Sequence, residues 1–437
     1  MNASTRALGF WSATALVVGN MIGSGIFLLP ASLAPFGMAS LYGWTLSGVG
    51  ALLLAFVFAR LGRCHPVSGG PYAYSRIAFG DLVGFAMAWS YWVSVWCAVA
   101  AIAVAFAGSM ASLFPTFFAS QGNTAICALA VLWLCTGCNL AGVRVAGIAQ
   151  LVTTILKVLP IVLIIAFGVG TLSEHSFVPF NPSGGSALGV TTTTAALALW
   201  ALLGMECATI PAEHVVDAER IIPRATIWGT AFATIITIAA CTIVLGMLPL
   251  AQLKDSPAPF ADAARALWGN GAAAAMAAGM AVSCLGALNG WILVQGQIPY
   301  AAARDGLFPD YFARVDARGT PRTGLVVGSV LATVLVCANF SASLIGLFNA
   351  SILLATATAL LPYVFSAAAM LRLEPRERDT ALWRLVVAAL ALVYGIWALI
   401  GTGSEALIWC AGLLAAGIPL YFLQRRLKPT RELTSVT

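Results

Sequence analysis

The sequence predicts an all-α membrane protein of twelve transmembrane helices, with the first and sixth helices broken at mid-span. Three observations carry that prediction. The 437 residues are 60% hydrophobic and 9% charged, with a mean hydropathy of +0.94, a composition foreign to soluble domains. Residues 7–59 and 82–143 contain no Asp, Glu, Lys or Arg, and each run has room for two spans of about 20 residues and a short loop. Glycine clusters interrupt the apolar run in the first span and again, beside an acidic residue, in the sixth.

Segmentation by apolar runs places the spans at 8–33, 39–60, 80–110, 123–140, 145–170, 189–211, 224–249, 268–300, 323–340, 344–371, 385–403 and 406–424. The connections are short, so residues 1–437 are expected to form one transmembrane domain. The N-terminal run is too short to be a cleaved signal peptide, and eleven further spans follow it.

The first span reads Gly19-Asn20-Met21-Ile22-Gly23-Ser24-Gly25 at its centre. Each glycine costs a helix about 1 kcal/mol relative to Ala. Unwound backbone at that depth survives only where it is buried in protein or lines a watery cavity, and broken helices at mid-membrane are how many transporters build a substrate site. Gly19-x-x-x-Gly23 also fits plain close packing of helices; the segment by itself supports both readings.

The sixth span reads Leu199-Trp200-Ala201-Leu202-Leu203-Gly204-Met205-Glu206-Cys207-Ala208-Thr209-Ile210-Pro211. A charge at the centre of a span costs about 3 kcal/mol on insertion scales, which makes Glu206 a functional candidate; a neutral Glu bonded to backbone is the bland alternative. Interrupted centres five spans apart point to inverted repeats, here about 8–171 and 188–372, with helices 11 and 12 (about 385–424) added and the site at the repeat interface. Half-helix amino ends carry partial positive charge and suit a carboxylate, while exposed carbonyls suit an ammonium. An α-amino acid offers both groups.

Lys157 lies deep in the fifth span among Ile155, Leu156, Val158 and Leu159. Its ammonium has to find carbonyls, an acid or a proton acceptor there. Tyr91, Trp92 and Trp96 on span three, Trp200 on six and Trp291 on eight supply aromatic faces, and a desolvated cation–π contact is worth ~2 kcal/mol. Trp200 and Trp291 stand closest to the other candidates.

Charge sets the orientation. Of 22 Lys and Arg, 19 fall in one alternating set of segments, including Arg60, Arg63, Arg76, Arg144, Arg220, Arg304, Arg318, Arg372, Arg384 and Arg425; the other set holds Lys254 and Arg265. Positive loops stay cytoplasmic, so both termini are expected inside. The net charge of +6 follows from that topology and gives no reason to expect a nucleic-acid partner. Cys135 and Cys138 form a C-x-x-C pair without a nearby His or second pair, so small packing residues are the expected role and no metal site is foreseen. There is no P-loop, and no cofactor is expected. A membrane enzyme would need a catalytic cluster, whereas His65, His175 and His214 are scattered over loops. A receptor would need a signalling domain, and the tail after residue 424 is expected to be too short for one.

These residues resemble the amino acid–polyamine–organocation transporters, most closely the bacterial basic amino acid/amine antiporters. The resemblance covers nearly the whole chain. It rests on the Gly19–Ile26 segment, Ser68-Gly69-Gly70-Pro71-Tyr72-Ala73-Tyr74, the Leu199–Glu206 segment, Ile222-Pro223-Arg224-Ala225-Thr226, and Asp305-Gly306-Leu307-Phe308-Pro309 leading to Gly319-Thr320-Pro321. It implies a LeuT-type fold of five plus five inverted repeats with two further spans, and sodium-independent exchange in the bacterial inner membrane, often as a homodimer. Carried over by position, Ser24 and Gly25 would hold the substrate carboxylate. Backbone at Met21, Trp200 and Leu203 would take the amino group. Asn20 would line the pocket, Trp200 would cover the substrate, Trp291 would close the middle of the pathway and Tyr91 would assist gating. Glu206 would be the proton-sensitive acid, and Tyr72 would serve pH sensing.

Three departures bear on the substrate. Val95 and Val99 stand where the arginine exchanger carries polar or thiol side chains, and Ala355 replaces a serine. An apolar side pocket of Val95, Val99, Ile102, Leu203 and Ala355 suits a neutral side chain or the alkyl part of a cationic one. Lys157 matches transporters in which an ammonium replaces sodium, bridging spans five and one. The expected function is therefore exchange of a cationic amino acid for its decarboxylated amine or another amino acid by alternating access. Proton-coupled transport of neutral amino acids, with Lys157 or Glu206 carrying the proton, is the alternative.

Overall fold

The computed structural model describes residues 8–172, 176, 178–256, 258–338, 344–374 and 382–427; the side chains of Ser24, Ala119, Gln121, Val143, Arg144, Ala338, 344–351 and 425–427 fall outside that description. His175 lies outside it as well, as do Arg6, Arg376, Arg378, Lys428 and Arg431 of the arginine-rich segments.

Among the described residues the regular structure is all helix, with one isolated β-bridge. The first span is two helices, α1 (Phe10–Met21) and α2 (Ser24–Leu33), separated by Ile22 and Gly23. After it come α3 (Ser40–Cys64), the short α4 (Pro71–Phe79), α5 (Asp81–Leu113), α6 (Gln121–Leu140) and α7 (Val143–Gly168). The second half continues through α8 (Ala187–Trp200), α9 (Ala218–Met247), α10 (Leu250–Leu253), α11 (Pro259–Trp268), α12 (Asn270–Arg304), α13 (Arg322–Ala338), α14 (Leu344–Leu373), α15 (Leu382–Gly401) and α16 (Ser404–Leu427). Among the described residues, nine stretches are long and apolar enough to cross a membrane. One of them, Phe10–Cys64, contains two of the expected spans, and the shorter apolar helices Ala187–Trp200 and Arg322–Cys337 supply two more. The twelve segments expected from sequence are thereby accounted for.

Two details go beyond what the sequence reading specified. The sixth span does not resume as an α-helix after its break. Residues 201–206 are turns, followed by 3-10 turns at Cys207–Thr209 and Ala212–His214. Gly204 adopts φ +108°, in the left-handed region open to glycine, and Pro211 removes a backbone donor soon afterwards. The connection between spans seven and eight is also more than a loop, since α10 and α11 fill it.

The helices pack in a pattern that repeats when each span is exchanged for the one five further on. Span three (α5) packs on spans eight (α12) and ten (α14), and span eight packs on spans three and five (α7). Span two (α3) packs on seven (α9) and six (α8), and span seven on two and one. Spans four (α6) and nine (α13) pack on each other and on both α5 and α12. This is the contact symmetry of a LeuT-type inverted repeat, and it leaves the two broken spans at the middle of the molecule. α15 lies against α3 and α14, outside the paired halves.

Candidate functional site

The break in span one faces the break in span six. α1 ends at Met21, and α2 starts after Gly23 without a side-chain cap, so the first amides of α2 have no acceptor within the helix. α8 ends at Trp200 against this point: a Cβ on Gly25 would lie 2.6 Å from Cδ1 of Trp200 and 2.8 Å from its Nε1. A Cβ on Gly204 would lie 3.0 Å from that of Asn20 and 3.3 Å from the Met21 amide nitrogen. Glycine at positions 25 and 204 is thus what allows the two unwound segments to touch. The carboxyl ends of α1 and α8 and the amino end of α2 converge here, bringing partial charges of both signs to one place.

A small cavity lies at this convergence, lined by Asn20, Met21, Gly23, Gly25, Ile102, Trp200, Ala201, Leu203 and Trp291. Seven residues singled out from sequence are brought together in it: Asn20, Met21, Gly25, Ile102, Trp200, Leu203 and Trp291. Val95, Val99 and Ala355 are buried in the core but are not among the lining residues, so the described cavity wall is narrower than the sequence reading drew it. The main chain of Ser24 opens α2; its side chain is outside the described residues.

Tyr91 also stands off the cavity wall. Its hydroxyl donates to Oε1 of Glu206, and the hydroxyl of Tyr363 on α14 donates to Oε2. The Tyr363 oxygen in turn accepts the Gly204 amide at 3.4 Å. All three side chains are fully buried. Glu206 is therefore held by one phenol from span three and one from span ten, which ties both scaffold helices to the unwound segment. Sequence reasoning missed Tyr363, although a tyrosine one residue after Pro362 inside an apolar span was a usable signal.

Lys157 is fully buried on α7 and donates to the carbonyl oxygen of Gly19. The ammonium thus sits on the last turns of α1, at the negative end of that half-helix. Asn20 reaches in both directions from the same turn: its Nδ2 donates to Sγ of Cys207 at 3.0 Å, and its Oδ1 accepts from Nε2 of Gln150 at 3.5 Å.

On the arginine-rich face the ends of spans one and six are bonded to each other and to the segment that follows span two. Leu8 pairs with the tail of span six through Leu8 N–H to His214 O (2.9 Å) and Val216 N–H to Leu8 O (3.0 Å). The Ser68–Tyr72 segment clamps the same tail. The Gly69 amide donates to Ile210 O at 3.0 Å, the Ser68 hydroxyl accepts the Glu213 amide at 3.2 Å, and a Cβ on Gly70 would come within 2.3 Å of the Thr209 hydroxyl. Arg304 pairs with both Glu213 oxygens at 2.6 and 2.7 Å. Tyr72, on α4, donates to Oδ2 of Asp305 at 3.2 Å, and Arg76 meets that same oxygen at 3.0 Å. Burial, reinforced by the Asp305 charge, holds the Tyr72 phenol well above its ordinary pKa, so it stays a donor at physiological pH. No group of three or more His, Cys, Asp or Glu able to hold a metal occurs among the described residues.

Twelve spans whose first and sixth unwind around one small cavity define a polytopic secondary carrier. The family comparison agrees with that class: the model of the amino acid permease family matches residues 8–418, and the chain belongs to that family. It is a transporter and not an enzyme. Similar proteins include the putrescine transporter PotE of Haemophilus influenzae, 32% identical over 96% of this chain and 98% of the relative. The arginine/ornithine antiporter of Pseudomonas aeruginosa is 31% identical over 96% and 91%. The cadaverine/lysine antiporter of Escherichia coli is 31% identical over 92% and 91%.

Proposed function

We propose that this transporter exchanges a cationic α-amino acid for its decarboxylated amine or for another amino acid, by alternating access and without sodium. The observation that carries the reading is the convergence of one half-helix amino end and two carboxyl ends on the cavity. It offers amides for a carboxylate and carbonyls for an ammonium within one small volume. Ile102 and Leu203 supply apolar wall for the alkyl part of the side chain. Trp200 and Trp291 supply π faces for a cationic group. Lys157 on the Gly19 carbonyl provides a built-in cation beside the break, which removes the need for a bound sodium ion there.

In this reading Met21, Ser24, Gly25, Trp200 and Leu203 hold the substrate's polar end. Trp291 blocks the path, and Glu206 with Tyr91 and Tyr363 responds to protons. The arginine-rich face is cytoplasmic, both termini are inside, the repeats run over about 8–171 and 188–372, and the membrane is a bacterial inner membrane. A homodimer is part of the same reading. Proton-coupled transport of neutral amino acids is not favoured, because the relatives are named for basic amino acids and diamines.

The test is uptake of labelled arginine into proteoliposomes preloaded with arginine, agmatine, leucine or nothing, without an ion gradient. Uptake that requires internal arginine or agmatine supports exchange. Uptake into empty vesicles indicates uniport. Absence of arginine uptake under every preload, together with leucine uptake driven by a pH gradient, overturns the cationic assignment.

A further inference from the structure

Asn20 is the cavity end of a chain of buried amides that crosses four helices. Nδ2 of Asn139 on α6 donates to Oδ1 of Asn289 on α12 at 3.1 Å. Nδ2 of Asn289 donates to Oε1 of Gln150 on α7 at 3.5 Å, Nε2 of Gln150 to Oδ1 of Asn20 at 3.5 Å, and Nδ2 of Asn20 to Sγ of Cys207 at 3.0 Å. All four amide residues are buried. Space is kept clear for them: a Cβ on Gly19 would lie 2.0 Å from Gln150 Nε2, and one on Gly290 would lie 2.0 Å from Asn20 Oδ1.

The direction of the chain is fixed by groups that can only accept. Gln150 Nε2 also donates to the Ala15 carbonyl at 3.4 Å, and Asn289 Nδ2 to the Ala146 carbonyl at 3.0 Å. Main-chain carbonyls cannot donate, so the NH2 end of each amide must face them. Gln150 consequently presents N–H to Asn20, and Asn20 must answer with its oxygen. What remains of Asn20, a residue of the cavity wall, is its NH2, resting on the buried thiol of Cys207. Sulfur is a weak acceptor, so this is the link in the chain most easily given up to a better one.

We propose that Gln150, oriented by Asn289 and the Ala15 carbonyl, is a positioning residue that keeps Asn20 a hydrogen-bond donor toward the substrate and so distinguishes an amino acid from its decarboxylated amine. A carboxylate takes the Asn20 N–H from Cys207. An amine carries only donors and gains nothing from it. The inference rests on the exchange reading above and names the group of the substrate that this part of the site reads.

The experiment compares KM and kcat for arginine and for agmatine in proteoliposomes of wild type, Gln150→Leu and Gln150→Glu. In Gln150→Leu the Asn20 amide is free to turn over, and the KM for arginine is expected to rise about tenfold, with a much smaller change for agmatine. In Gln150→Glu the new carboxylate accepts from Asn20, turns its oxygen to the cavity and shifts the ratio of the two KM values further toward agmatine. Equal movement of both KM values, or a change in kcat alone, overturns the proposal and makes Gln150 structural. If Gln150→Leu does not accumulate, the Gln150→Glu ratio decides, together with the shift in Tm that each substrate gives the detergent-purified wild type and variant. Exchange of neither compound by wild type refutes the parent reading, and this inference with it.

Discussion

Gly25→Ala isolates what the meeting of the two breaks does. Gly25 is the second residue of α2, and its φ is not in the left-handed region, so alanine fits the backbone and on propensity alone stabilises the helix by about 1 kcal/mol. The new methyl, however, lies 2.6 Å from Trp200 Cδ1 and 3.5 Å from the Ala201 Cα. Carbon atoms rest ~3.5–4.0 Å apart, so the indole must retreat by about 1 Å from a wall of the cavity. Overpacking of this kind costs about 1–3 kcal/mol, which is roughly a 5- to 150-fold loss of affinity if it falls on the substrate-bound state. The assay is the KM of exchange in proteoliposomes at matched protein density. The Trp200→Leu background serves as control: with the ring gone, the same methyl should cost almost nothing, giving a coupling energy of the same 1–3 kcal/mol. A Gly25→Ala protein with wild-type KM would refute the claim that the ring position sets substrate affinity.

Trp291→Ala is expected to reduce exchange to under about a tenth at equal expression, since the ring is a large part of the cavity wall; undiminished uptake removes it from the site. Glu206→Gln puts an NH2 where one phenol now finds an acceptor and abolishes the ionisable group, so the pH dependence of turnover should flatten, whereas a wild-type profile leaves Glu206 structural. At the arginine-rich face, Glu374 accepts from Arg60 at 2.8–3.2 Å and from Arg384 at 3.0 Å. Burial opposes the charge, but these hydrogen bonds prevail and hold the carboxyl below its usual range. Its stabilisation is therefore complete above the ordinary glutamate pKa of about 4.3 and is lost as pH falls through the lower folded value. Glu374→Gln should lower Tm at neutral pH and narrow the gap to wild type in acid, while a gap independent of pH contradicts the ion-pair account.

Much of the fold could be read from the sequence because a bilayer imposes simple rules. Charge-free runs located the spans, arginine placement grouped the loops, and the glycines around Asn20 announced the break. The sixth span was harder. Gly204 and Glu206 marked its centre, but nothing local said that the chain would stay in turns from 201 onward, because that depends on contact with Asn20 and Met21. Of the three α5 residues expected in the apolar side pocket, Ile102 is in the cavity lining, whereas Val95 and Val99 are not. α5 is apolar round most of its circumference, so hydrophobic periodicity carries no phase to say which side faces the cavity. Tyr363 and Gln150 escaped notice for a different reason. Each acquires its meaning from a partner more than a hundred residues away, Glu206 in one case and Asn20 in the other, and spacing along the chain holds no trace of that pairing.

The two main-chain hydrogen bonds between Leu8 and the His214–Val216 segment have a mechanical consequence. They tie the leading end of the first broken span to the trailing end of the second, so either end can move alone only if both hydrogen bonds break. Because backbone atoms form the lashing, the side chains at 8 and 215 are open to exchange among apolar types, but the length of chain between Leu8 and the start of α1 is not. One residue inserted there should slip Leu8 out of this pairing without changing any residue that lines the cavity.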